Sequence, residues 1–372
     1  MNSDFSNFIS EKIDSNTNII WFEKSNKYIV LNDTINILLL NKLKPSVYPI
    51  NNDFIREHQV NSSKLKDINK DLENLILECN SEKQDEENKK IDINNGFLKC
   101  QSSFKFNNRV VKILYENENL RNLIDPKFIH LKTQEKENLT FKVFEKNKKI
   151  YLFKEDLFLG GWGLSKMHEL QGKISMELTS FFHNMNDKDW SAVFHGSTLS
   201  YDNNSVMLTG ESGNGKSSLS TILMANNFSL VADDFSPMNN KGVHYHFPSA
   251  ISIKEGFYPT AQTLFKSFSK LKEYYINEIK GNVKYLPNND QNNLRLSVRC
   301  NKVINVKFGK NFKNEIKLIN KGIALQRILP DAWISKDRNH SIAFINWVKK
   351  SMFYDLTYSD NEEAVKLINN IF

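Results

Sequence analysis

Apolar residues along this chain alternate between the two-residue spacing of strands and the three-to-four-residue spacing of helices, and the switches between them divide it into elements. Residues 18–43 open with Ile19-Ile-Trp-Phe22, a turn, and Tyr28-Ile-Val-Leu31, which predicts a hairpin. The run Ile35, Leu38, Leu39, Leu43 behind Asn32-Asp33 predicts a helix that ends before Pro45. Leu65, Ile68, Leu72, Leu75 and Ile76 mark a second amphipathic helix over residues 63–79. Residues 80–95 are almost wholly polar and predict a solvated linker. Between 96 and 154 the runs at 110–114, 141–144 and 150–153 predict antiparallel strands covering one side of the sheet formed by the second half. A helix over about 165–185 follows, with the stripe Met167, Leu170, Ile174, Leu178, Phe181 and Met185.

The second half carries the chemistry. Residues 190–194 predict a strand ending in His195-Gly196, and residues 206–209 predict another that runs straight into Gly210-Glu-Ser-Gly-Asn-Gly-Lys-Ser217. That octapeptide fits the phosphate-loop pattern G-x-x-x-x-G-K-S/T at every fixed position. Glycines let the backbone curl with its N–H groups inward, and the helix starting near Lys216 adds the positive end of its dipole. Lys216 is suited to the outer phosphates and the Ser217 hydroxyl to Mg²⁺. The expected nucleotide contacts are Gly210, Glu211, Ser212, Gly213, Asn214, Gly215, Lys216, Ser217 and Ser218.

Leu219, Ile222 and Leu223 give the loop helix, and residues 228–232 a strand ending in Asp233-Asp234. A strand, loop, helix, strand order of this length predicts a right-handed βαβ unit, so both carboxylates emerge at the phosphate end of the sheet. One aspartate then reaches the metal and the other acts as a base. Residues 243–256 predict two short strands, in which His244 and His246 alternate on one face, the spacing of a metal pair but with no Cys or third His nearby to complete it. Residues 259–293 predict an inserted helical and loop region suited to a lid. A strand at 302–308, a helix at 341–352, a strand at 353–357 and a last helix opened by a Ser359-x-x-Glu362 capping box complete the chain.

Composition narrows the reading. At 372 residues the chain is long enough for two domains, and 40% apolar with 25% charged residues is ordinary for a globular protein. A net charge of +7 comes from 50 basic against 43 acidic residues, with the lysines spread along the whole chain. No arginine-rich cluster with interleaved aromatics marks a nucleic-acid partner. The longest apolar run is too short for a membrane span and the N-terminus has no signal pattern, so a cytoplasmic protein is expected. Cys79, Cys100 and Cys300 are widely separated and form no metal-ligand spacing.

Phe194-His-Gly196, the 210–217 loop and Leu230-Val-Ala-Asp-Asp234, taken with their spacing, resemble the catalytic domain of HPr serine kinase/phosphorylase and its diverged relatives. The resemblance implies an α/β fold of the HPr kinase/PEP carboxykinase type over residues 96–372. It also implies ATP and Mg²⁺ as cofactors, and a serine hydroxyl on a peptide or protein as acceptor. His195, Lys216, Asp233 and Asp234 would be catalytic, with Ser217, Asp233 and Asp234 at the metal and His195 partnering the aspartate pair. HPr kinases follow the pair with Glu-Ile-Arg-Gly, whereas this chain has Ser252-Ile-Lys-Glu-Gly256; Lys254 in the arginine's place is a candidate substrate or phosphate contact.

The phrase Tyr28-Ile-Val-Leu-Asn-Asp-Thr34 resembles the PqqD-like peptide-recognition domains, which implies a small winged α+β unit over residues 1–80. Residues 81–95 then serve as a linker. Membrane association is not expected, and a homo-oligomer is left open. The competing reading is a module that binds ATP and peptide without transferring phosphate.

Overall fold

The computed structural model describes residues 7–50, 62–81, 98–278, 280–288 and 294–372. The expected linker falls almost entirely outside them. The architecture is mixed α/β with several sheets.

A six-stranded sheet is built around Asn204–Thr209, whose Val206, Met207 and Leu208 are fully buried. Both faces of that strand are covered, which is why its apolar run does not alternate with polar residues. The order across the sheet is Ser229–Ala232, Ser197–Tyr201, Asn204–Thr209, Lys302–Phe308, Met352–Tyr358, Glu315–Leu318. The middle three strands run parallel, whereas Ser197–Tyr201 is antiparallel to both its neighbours. The strands before and after the loop helix Lys216–Ala225 therefore share a sheet and a direction, with Ser197–Tyr201 inserted between them.

Alternation sorts the side chains of this sheet. Val206, Leu208, Ile304 and Val306 pack under the loop helix and the last helix, Asn361–Asn369. Met207, Val303 and Phe353 point the other way, toward the helices Lys321–Ile328 and Arg338–Lys350. A second sheet, ordered Ser297–Arg299, Val243–Tyr245, Ser236–Asn239, Trp190–Phe194, Trp333–Ile334, brings Ala192, Phe194 and Met238 to that same core.

The described residues of 1–80 give three strands, not two: Phe8–Asp14 flanks the expected hairpin of Thr17–Phe22 and Lys27–Leu31. The central strand is buried on both sides. Ile20 and Phe22 meet Leu38, Leu39, Leu72 and Ile76 of the helices Asp33–Leu43 and Ser62–Cys79. Ile19 and Trp21 instead enter the core formed by Ala192, Phe194, Phe344 and Phe353, so the small sheet shares its packing with the rest of the chain.

Residues 100–163 form five strands rather than three. Arg109–Tyr115 and Leu139–Lys146 pair in parallel, because the helix Glu118–Ile124 and a following 3₁₀ turn carry the chain back between them. The helix Met167–His183 packs on this sheet through Leu170, Ile174, Leu178 and Phe182, and stops at Asn184 in the left-handed region, short of Met185. The region expected as a lid holds the helix Tyr258–Leu264 and a hairpin of Glu273–Asn277 and Gly281–Leu286 that pairs with Ile251–Lys254. Phe268 and Leu286 anchor it in the core of the loop helix. At the C-terminus the final helix is capped by Asp360, which accepts from the Glu363 N–H at 2.9 Å, instead of by Ser359. Among the described residues no helix is long and apolar enough to cross a membrane.

Candidate functional site

The loop has the conformation its glycines allow. Gly210, Gly213 and Gly215 have φ of 138°, 94° and 93°, where residues with a Cβ are strained. At Gly210 space adds a second demand, since a Cβ there would lie 2.8 Å from the Val306 carbonyl oxygen. The Phe308 N–H donates to Asn214 O at 3.2 Å and ties the loop to the neighbouring strand. Lys216 is buried, and its Nζ donates to Gly210 O at 2.5 Å and Glu211 O at 3.3 Å. Burial pushes its pKa down, against the pull of Asp234, Asp233 and Asp331.

The aspartate pair is divided. Asp233 is buried and accepts from Ser197 Oγ at 2.5 Å. Burial first, and the neighbouring Asp234 charge second, push its carboxyl up to about 7. Asp234 sits at φ 61°, a left-handed conformation that aspartate tolerates better than most residues, and is only partly buried. Burial raises its pKa, but the charges of Lys127, His195, Lys280 and Lys216 together outweigh that and hold it below the usual carboxylate range.

Two cavities flank the loop. The smaller, of about 150 Å³, is lined by Ser212, Gly213, Gly215, Lys216, Ser217, Ser218, Asp234, Ser252, Lys254 and Lys280 together with His195. The larger, of about 470 Å³, is lined by Gly210, Glu211, Asn214, Asn305, Lys307, Arg327, Pro330 and Asp331, again with His195. Every expected residue except Asp233 borders one of the two, and the exposed His195 borders both.

Several groups at these cavities escaped the sequence reading. Lys280 arrives from the hairpin, whose only sequence signal is the turn glycine Gly281. Asp355 lines neither cavity but backs Asn305, which lines the larger one: it faces Asn305 across the parallel strands, accepts from its Nδ2 at 2.9 Å, and is also bound by Arg327. His244 and His246 serve packing: both are buried, His244 Nδ1 meets Ser236 Oγ at 3.0 Å, and His246 stacks on Phe106. Among the described residues no group of three or more His, Cys, Asp or Glu is placed to hold a metal ion. A Mg²⁺ here would therefore depend on hydroxyl, carboxylate and nucleotide oxygens. That donor set suits a hard ion which commonly takes most of its ligands from substrate phosphates and water.

No protein-family model matches the chain, and no curated protein matches it. Among solved structures the chain is similar to the Hpr(Ser) kinase/phosphatase from Coxiella burnetii, at 14% identity over 48% of this chain and 95% of that one, with a TM-score of 0.24.

Proposed function

We propose that this chain is an ATP-dependent phosphotransferase that phosphorylates a serine hydroxyl on a peptide or protein. The observation that carries the reading is the meeting of Lys216, Ser217, Asp234 and His195 around one cavity at the mouth of a glycine-strained loop.

The ATP phosphates lie along the loop N–H groups, and Lys216 exchanges Gly210 O and Glu211 O for the outer phosphate. Ser217 and Asp234 are the protein oxygens that would hold Mg²⁺, which supplies charge neutralisation at the transferring phosphate. Asp234, kept ionised by its cationic neighbours, accepts the hydroxyl proton. The acceptor oxygen forms a bond to phosphorus as the bond to the bridging oxygen breaks, and ADP leaves. Asp233, its carboxyl pushed up to about 7, carries less than a full charge near neutral pH, which eases the repulsion between the two neighbouring carboxylates. His195, Lys254 and Lys280 add positive charge or donors around the phosphoryl group.

The test is mass spectrometry of serine-containing peptides incubated with the protein, ATP and Mg²⁺. A gain of one phosphate that vanishes in Lys216→Ala supports the reading. Full activity in the double variant Asp233→Asn, Asp234→Asn overturns it. ATP binding without transfer across a broad acceptor panel favours the non-catalytic binding module, the reading to which Ser252 points.

A further inference from the structure

We infer that the acceptor reaches the site as an extended polypeptide segment, laid in the cleft between the turn at residues 23–28 and the segment 329–340. This rests on the phosphotransferase reading and adds the route and the kind of acceptor.

Orientation comes first. Lys216 Nζ lies against Gly210 O and Glu211 O, and both of those residues line the larger cavity. Lys216 itself lines the smaller cavity with Ser217 and Asp234, so the reacting groups lie on that side, and His195 borders both cavities. Ser218, at the far end of the loop, lines the smaller one. An acceptor laid along the larger cavity, past Arg327 and Asp331, therefore meets the reacting groups at His195.

Continuity comes second. Pro330 lines the larger cavity and also a cleft of about 1140 Å³. Trp333, in the same cleft, pairs with Val193, two residues before His195. At the rise of a strand that separation is roughly 7 Å, about the span of two residues of an extended bound chain.

The third observation is the cleft itself. It exceeds the range of ~300–1,000 Å³ typical of small-molecule sites, and a free amino acid would leave most of it empty. Trp333 is 50% exposed beside Pro330, a surface suited to packing against peptide side chains. Among the described residues Ser25, also in the cleft, holds a buried hydroxyl without a hydrogen-bond partner, which a main-chain amide can meet. The walls are fixed in advance, because Asn26 Nδ2 donates to Ile334 O at 2.8 Å and Arg338 pairs with Glu23 at 3.3 Å.

The probe is a random-sequence pool of serine-centred dodecapeptides, captured on the immobilised full-length protein and identified by mass spectrometry. Enrichment over bare support is expected, with a loss of about tenfold in Trp333→Ala, as for an exposed aromatic anchor. Capture should be unchanged in Lys216→Ala, so a failure of ATP binding sinks the phosphotransferase reading and leaves this result standing. A benzophenone-bearing peptide from the enriched set should cross-link to residues 23–28 or 329–340. Absence of enrichment, equal capture by a folded Trp333→Ala protein, or cross-links confined to other surfaces would overturn the proposal.

Discussion

Ser197 Oγ donates a hydrogen bond of 2.5 Å to Asp233 Oδ1, inside the protein and away from both cavities. Asp233 is thus a buried carboxyl with a raised pKa beside a partly buried partner with a lowered one. The sign of its effect on stability follows. A carboxyl whose folded pKa exceeds its unfolded value of about 3.9 contributes fully below that value and loses its contribution as pH rises toward about 7. Asp233→Asn should therefore be more stable than the parent at pH 8, on the order of 1–3 kcal/mol, with the gap closing at pH 4. Thermal unfolding at the two pH values checks this; a gap that widens on acidification refutes it.

Gly210 and Gly213 both have positive φ, but only Gly210 is crowded. Gly210→Ala should lower stability by about 2–4 kcal/mol through strain and the clash with Val306 O, and Gly213→Ala by about 1 kcal/mol. Denaturant melts of the two variants make the comparison. Equal losses would show that space at Gly210 does not matter.

Lys280 approaches the smaller cavity from a hairpin turn, not from the loop. Lys280→Ala is expected to slow phosphate transfer by roughly 10–100-fold while changing ATP affinity less than about fivefold, the behaviour of a cation that acts mainly on developing charge. Separate kcat and nucleotide-binding measurements decide it.

Trp21 is fully buried between the N-terminal sheet and the core of Phe194 and Phe344. Trp21→Ala should cost about 3–5 kcal/mol. A chain lacking residues 1–80 should expose the apolar partners of Trp21, Ile19 and Ile13, and aggregate. Calorimetry of the variant and light scattering of the truncated chain test both. A soluble, stable truncation would mean that the shared core contributes little.

The sequence disclosed what depends on contiguous residues. A phosphate cradle needs glycines and a lysine at fixed spacing on one stretch, and a strand that follows the loop helix carries Asp233-Asp234 to the same end of the sheet. What depends on register stayed hidden. Asn305 and Asp355 meet only because two parallel strands align at those positions, and Arg327 joins them from a helix between the two in sequence. The strand Phe8–Asp14 was missed because its residues are half-buried and mixed in polarity, so no alternation marks them. The cap moved from Ser359 to Asp360 for a local reason: the Ser359 N–H and Oγ are both engaged by Asn314 Oδ1. No spacing rule places Asn314 there.

The sheet of residues 8–31 holds its inner face in the same core as Met207, the central residue of the strand that ends in the phosphate loop. The small sheet and the loop strand consequently share one hydrophobic core. A ligand that grips both walls of the cleft adds its binding free energy to the one transition in which the loop also unfolds. Heating the protein with such a ligand should also raise the melting of the glycine loop, so that occupancy of the cleft is read as rigidity in the loop beside it.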